Sequence, residues 1–227
     1  MQIRSIYRAF LLAGVFVLGG MAGFAQTDVA ASLYGAFTGT TTANGVQQSP
    51  SNAAGGLLEL RHIGKPWFGY EGTYSFNRAN QSYTQLAFAC PAGSLLPCFT
   101  AQAAPVKADA HEVTADWIAS VKLANLRPFT LAGAGMIFDV PVSGQASFVE
   151  CSILNPLCVS IPVSTKTTTK PAFVYGAGLD WGLLPHLGLR LQYRGNLYKA
   201  PNLTSLFTST DKFTHTAEPM LGIYFRL

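Results

Sequence analysis

Eight segments of about ten residues, each alternating apolar with small or polar side chains, run along this chain; the connections between them alternate short and long. The segments are 29–37, 56–63, 67–77, 110–121, 128–138, 172–183, 187–198 and 212–227. Segment seven alternates most cleanly, with Leu187, Leu189, Leu191, Tyr193 and Leu197 set against Arg190, Gln192, Arg194 and Asn196. In segment four, Val113, Ala115, Trp117, Ala119 and Val121 oppose Glu112, Thr114, Asp116 and Ser120. A period of two puts such sets on opposite faces of a strand. Helices fit poorly, because glycine and β-branched residues abound and no 3.6-residue stripe exists. Connections 64–66, 122–127 and 184–186 are short, whereas 39–55, 78–109, 139–171 and 199–211 are long. An even strand number with short turns at one end and long loops at the other predicts an all-β fold. It is an eight-stranded antiparallel up-and-down barrel, with both chain ends on the short-turn side.

Which face meets which medium follows from the charges. Only 11% of the 227 residues are charged, where about 25% is usual in a soluble domain. That balance excludes disorder. A formal net charge of +4 with no Lys/Arg run gives no nucleic-acid partner. All seven lysines fall in connections or at segment ends. On a lipid-facing surface a mid-depth Lys or Arg costs about 2–4 kcal/mol, so their absence there is expected. A soluble lipocalin-like barrel has the same period with the faces swapped, and its wet face would carry lysine. The non-apolar face holds Gly69, Thr73, Ser75, Ala132, Ala134, Gly176 and Gly178 instead, small groups suited to a crowded barrel interior. Phe68, Trp117, Phe129 and Trp181 lie near the short-turn ends, where an interfacial aromatic girdle would sit. Trp67 falls in the polar phase and is expected in the core. The pattern predicts a transmembrane barrel of the bacterial outer membrane with short periplasmic turns and long extracellular loops.

Ahead of the first segment, Arg4 and Arg8 precede the uncharged apolar stretch 9–24, and small residues stand at Gly23 and Ala25. This predicts a secretory signal over 1–25, cleaved after Ala25, with the barrel domain over 26–227. No composition shift marks a second domain.

The C-terminal run Met220-Leu221-Gly222-Ile223-Tyr224-Phe225-Arg226-Leu227 resembles the last strand of the small eight-stranded outer-membrane barrels of the OmpA/OmpX kind. The phrases Gly69-Tyr70-Glu71-Gly72-Thr73-Tyr74-Ser75, Arg127-Pro128-Phe129 with Gly133-Ala134-Gly135, and Gly176-Ala177-Gly178-Leu179 are similar to that superfamily's general style. The resemblance spans 26–227. It implies outer-membrane lipid and lipopolysaccharide as surroundings, assembly machinery that reads the last strand, and an extracellular partner of unknown identity at the loops. In that family the last strand usually ends in Phe or Trp; here it ends in Leu227, with Phe225 two residues earlier. No peptidoglycan-binding domain is expected. The implied role is non-enzymatic, structural or surface-interacting, with no cofactor.

Inner-phase charges are the candidate site: Glu59, Arg61, Glu71, Glu112, Asp116, Asp180, Arg190, Arg194 and Glu218, with Arg226 in the same phase. An eight-stranded barrel is just wide enough for side chains to fill it, so charges inside must be paired or hydrated. The bland reading is a structural ion-pair plug. The alternative is a small gated pore whose pairs exchange partners, with Arg190 and Arg194 as the movers. Cys90, Cys98, Cys151 and Cys158 all fall in long loops, and in an exported chain they read as Cys90–Cys98 and Cys151–Cys158 disulfides, by proximity. Their spacing, without nearby His, does not match a zinc site. Lipid A-modifying enzymes and surface proteases share this scaffold, but no nucleophile, base and acid come together here. His215 with Asp211 or Ser209 is the nearest approach. Apolar loop residues such as Leu203, Leu206 and Phe207 predict loops packed over the barrel mouth.

Overall fold

The structure is a computed structural model that describes residues 26–65, 67–85, 100–103, 105–151 and 158–227. The signal segment 1–25 and the cysteines Cys90 and Cys98 lie outside the described residues. The described strands are β1 (Gln26–Thr38), β2 (Thr41–Ala43), β3 (Val46–Pro50), β4 (Ala53–Lys65), β5 (Phe68–Gln85), β6 (Thr100–Ala103) and β7 (Val106–Ser120). They continue with β8 (Leu126–Pro141), β9 (Gln145–Cys151), β10 (Cys158–Ser164), β11 (Thr168–Gly182), β12 (Leu187–Lys199) and β13 (Phe213–Arg226).

Eight of these close a ring in the order β1, β4, β5, β7, β8, β11, β12, β13 and back to β1, every neighbour antiparallel. They are the eight period-two segments. The closing seam joins the first strand to the last, from Asp28 opposite Arg226 to Thr38 opposite Thr216. Closure leaves the barrel wall without an open edge, so the backbone donors and acceptors of the ladder are satisfied from within the sheet. The short turns are tight. Leu184 and Leu187 exchange backbone hydrogen bonds of 2.9 and 3.3 Å across Pro185 and His186. Leu123 and Leu126 do so at 2.8 and 2.9 Å, with Ala124 in the left-handed region (φ 54°).

The long connections are more ordered than a plain loop reading predicts. Asn44 (φ 52°) and Gly45 (φ 72°) form the two-residue turn between β2 and β3. Asn-Gly is the residue pair that such a turn favours. β3 then pairs with the far end of β5, and β6, β9 and β10 extend the sheet beyond the ring. Val46, Tyr83, Val106, Ala108, Leu203 and Phe207 form a buried apolar cluster over this mouth, joined by Ala146 and Val163. Tyr83 anchors the 200–212 connection: its hydroxyl donates to the Pro201 carbonyl (2.9 Å) and accepts from the Leu203 amide (3.0 Å). The expected packing of loops over the mouth is therefore present for Leu203 and Phe207, while Leu206 stays exposed.

Outside and inside are inverted relative to a soluble protein. Leu33 is 77% exposed and Leu191 60%, while Arg61, Arg190 and Arg194 are 0% exposed. An apolar belt of this extent wrapped round a closed barrel is a surface for lipid, and it removes the lipocalin-like alternative. Phe68, Trp117 and Trp181 are exposed near the short turns, as a girdle requires. Four side chains depart from expectation. Phe129 is buried inside the barrel, because its strand phase points inward with Leu131 and Ile137. Ala132 and Ala134 face outward. β8 carries small residues in both phases, so its facing is set by register, which brings Gly133 against Asp116 and Gly135 against Thr114. Trp67 is 60% exposed rather than packed in the core; it stands just before β5, outside the strand whose phase would have turned it inward.

Candidate functional site

Every member of the predicted interior charge cluster is buried in the lumen, and the members sort into two levels. At the short-turn level lie Arg61 and Glu59 (β4), Glu71 (β5), Asp180 (β11) and Arg190 (β12), together with Asp28 (β1). Arg61 donates from Nε to Glu71 Oε2 (2.7 Å) and from Nη1 to Asp180 Oδ2 (3.0 Å). Arg190 donates from Nε to Asp180 Oδ1 (2.7 Å), from Nη1 to Glu59 Oε2 (3.0 Å) and from Nη2 to Asp28 Oδ1 (2.9 Å). The Phe129 ring lies 4.0 Å beneath the Arg61 guanidinium, a cation–π contact that gives the inward aromatic its role. Gly178 makes room for it: a Cβ there would stand 2.4 Å from the Phe129 ring.

The second level is built on Arg194 (β12). Its guanidinium donates to Glu112 Oε1 (3.0 Å), Thr73 Oγ1 (3.0 Å) and Thr114 Oγ1 (2.7 Å), and lies 3.6 Å from Asp116 Oδ2. Thr114 passes a hydrogen bond on to Asp116 (2.8 Å), and Asn196 donates to Glu112 (2.8 Å). Glu218 stands opposite Arg194 in register and lines a cavity of about 30 Å³ with Glu112, Asp139, Asn196 and Tyr198. That is room for a water or two, with polar partners to hold them.

The ring order makes these contacts a blockade. β4 and β11 are four strands apart in a ring of eight, as are β5 and β12, so each pair faces across the lumen. Arg61 reaching Asp180 and Arg194 reaching Thr73 therefore span the full width of the barrel. Arginine suits the task, since its planar fork binds two walls at once and it stays ionised when buried.

Asp28, Asp139 and Arg127 are lumen residues that the segment reading did not include. Each lies just beyond the end of its segment, although Asp28 keeps the inner phase of Ala30 and Ser32. His215 accepts or donates a 2.9 Å hydrogen bond with Tyr175 on the outer face, so its described partner is neither Asp211 nor Ser209. Just above the apolar belt, Arg78 pairs with Asp109 on the outer surface, Nη2 to Oδ2 at 2.8 Å. The Arg78 hydrogen bond holds the Asp109 carboxyl below the ordinary carboxylate range. In the β9–β10 hairpin, Cys151 and Cys158 are backbone partners in register.

No family model matches the chain, and no curated protein matches it in sequence. Among solved structures it is similar to the outer membrane protein OprG of Pseudomonas aeruginosa, with a TM-score of 0.51 and 10% identity, covering 89% of this chain and 96% of that one. The fold is the small outer-membrane β-barrel. Two further structures of this kind align at lower TM-scores. Neisserial surface protein A gives 0.48 at 12% identity, over 90% of this chain and all of that one. The attachment invasion locus protein Ail of Yersinia pestis gives 0.44 at 17% identity, over 91% and 100%.

Proposed function

We propose that this chain is an integral, non-enzymatic protein of the bacterial outer membrane that keeps its lumen shut and acts through the platform its loops build. The observation that carries this reading is the pair of cross-lumen arginine levels beneath the packed 200–212 connection. A barrel closed twice over has little to offer as a channel, whereas the sheet of β5, β6, β9 and β10 offers an edge and a face beyond the belt. Lipid and lipopolysaccharide meet the belt, the assembly machinery reads β13, and an extracellular partner meets the loops. A Cys151–Cys158 disulfide would pin the β9–β10 hairpin, and its short loop limits the gain to somewhat under about 3 kcal/mol. The Cys90–Cys98 pairing is proposed with it.

The test is surface presentation. An epitope inserted beside Gly144 should be stained by antibody on intact cells, and one inserted at Ala124 should be stained only after permeabilisation. Cells producing the intact chain should adhere or aggregate more than cells whose chain lacks residues 145–164. Staining of the Ala124 epitope on intact cells, or adhesion unchanged by the deletion, would sink the proposal.

A gated pore is the second reading, and one observation favours it. Arg190 Nη1 lies 3.8 Å from Glu71 besides 3.0 Å from Glu59, and Arg194 Nη2 lies 3.6 Å from Asp116 besides 3.0 Å from Glu112. Each arginine thus has a second acceptor to which it could turn.

A further inference from the structure

We infer that the short-turn mouth of the barrel is a binding site for a small soluble oxyanion, a phosphate or a carboxylate group. A cavity of about 150 Å³ opens there, lined by Lys122, Asn125, Arg127, Asp180, Tyr224 and Arg226 among others. Three cations face one carboxylate. That carboxylate is already committed: Asp180 Oδ1 accepts from Arg190, and Oδ2 accepts from both Arg61 and Arg190.

Arg127 and Arg226 are left over. Arg127 Nη1 and Arg226 Nε are buried nitrogens with no hydrogen-bond partner among the described residues. Buried donors on charged groups carry a desolvation penalty that a partner must offset. The lower ion-pair level explains why cations gather here, since its four carboxylates (Asp28, Glu59, Glu71, Asp180) outnumber its two guanidiniums. Among the described residues none of these carboxylates hydrogen-bonds to Arg127 or Arg226, although Asp28 Oδ2, on the residue opposite Arg226, is itself a buried oxygen without a partner. Two guanidiniums lining one cavity repel each other, and an oxyanion between them relieves the repulsion while filling the open donor sites. The planar N–H fork of arginine matches two oxygens of a phosphate or carboxylate. Tyr224, whose ring centroid lies 6.0 Å from Arg226, helps to fix that side chain's direction.

The cavity size admits one such group with a small substituent and excludes a bulky polymer. The phase of the lining selects among sources. Arg127 faces Asp180 in register and Arg226 faces Asp28, so both belong to the lumen side of their strands and not to the lipid side. The site draws on the aqueous compartment at the short turns. It does not depend on what the loops at the other end do.

Inorganic phosphate is the probe. The refolded chain in a nonionic, phosphate-free detergent is titrated with sodium phosphate against sodium chloride at matched ionic strength. Calorimetry and the Nε–H resonances of Arg127 and Arg226 are read. The expected result is saturable binding, with shifts confined to these two resonances and affinity reduced at least tenfold in R127Q and in R226Q. R78Q, which removes a cation at the opposite end, should bind as the parent does. Absence of saturable binding in the parent, or equal binding in all three variants, overturns the site. Should a lumen variant fail to refold, the resonance shifts of the parent still decide the matter. A lipid source is checked in nanodiscs without added phosphate. Shifts induced there by phosphatidylglycerol but not by a neutral glycolipid would assign the anion to a headgroup and overturn the soluble-ligand assignment.

Discussion

Arg190 is the residue on which most of the lower level depends. It touches Asp28, Glu59 and Asp180 and spans from β12 to three other strands. Replacing it with alanine leaves several buried carboxylates without their counter-charge, and breaking buried pairs in this way costs about 3–5 kcal/mol. Arg190→Ala should therefore lower the stability of the lipid-inserted barrel by that amount in urea unfolding; a loss under about 1 kcal/mol would contradict the assigned contacts. Arg78 and Asp109 form the contrasting case, an exposed pair above the belt. The folded Asp109 titrates below its unfolded value, so its contribution is complete above the unfolded value and is lost as pH falls through the folded one. Arg78→Gln should move the Asp109 midpoint upward in an NMR titration, and an unmoved midpoint would deny the hydrogen bond its effect.

Element by element, the period of two does most of the work. Leu191 sits mid-strand on the outer face of β12 and Gln192 on the inner. Leu191→Arg should cost about 2–4 kcal/mol in a bilayer, while insertion at the same depth of a soluble barrel's wet face would cost almost nothing. Equal stability of parent and variant in lipid vesicles would reverse the assigned facing of β12. The Asn44-Gly45 turn belongs to the loop side. Gly45→Val puts a β-branched residue at φ 72° and should speed amide exchange in β2 and β3 by local destabilisation of about 1–2 kcal/mol, leaving the ring unaffected. The eight ring strands and all nine candidate charges were legible in the sequence because alternation survives wherever large apolar and charged residues share a strand. It failed in β8, where Ala132, Gly133, Ala134 and Gly135 give both faces the same size. The inward position of Phe129 is hidden for a related reason: an aromatic near a turn reads as a girdle residue unless the register that puts it under Arg61 is known. The strands of the long connections were missed although Asn44-Gly45 announced the first of them. β6 pairs with β9 across some fifty residues, contacts distant in sequence that local patterns do not carry.

At the scale of the whole molecule, polarity runs along the barrel axis. Lys122, Arg127 and Arg226 stand at the short-turn mouth, mixed charges fill the middle, and Glu112, Asp139 and Glu218 line the chamber below the loops. Nothing in the ring itself requires such an order, since closure and the apolar belt suffice for a barrel to sit in lipid. The cross-lumen arginines are the costly addition, and keeping water and solutes from passing is the work they are suited to. Single-channel recording in a planar bilayer, on chain whose folding is verified by heat-dependent gel mobility, tests this most directly. A silent membrane is expected for the parent protein. Discrete, reproducible openings of the parent that shift in conductance with Arg190→Ala would contradict the plug and make its ion pairs a gate.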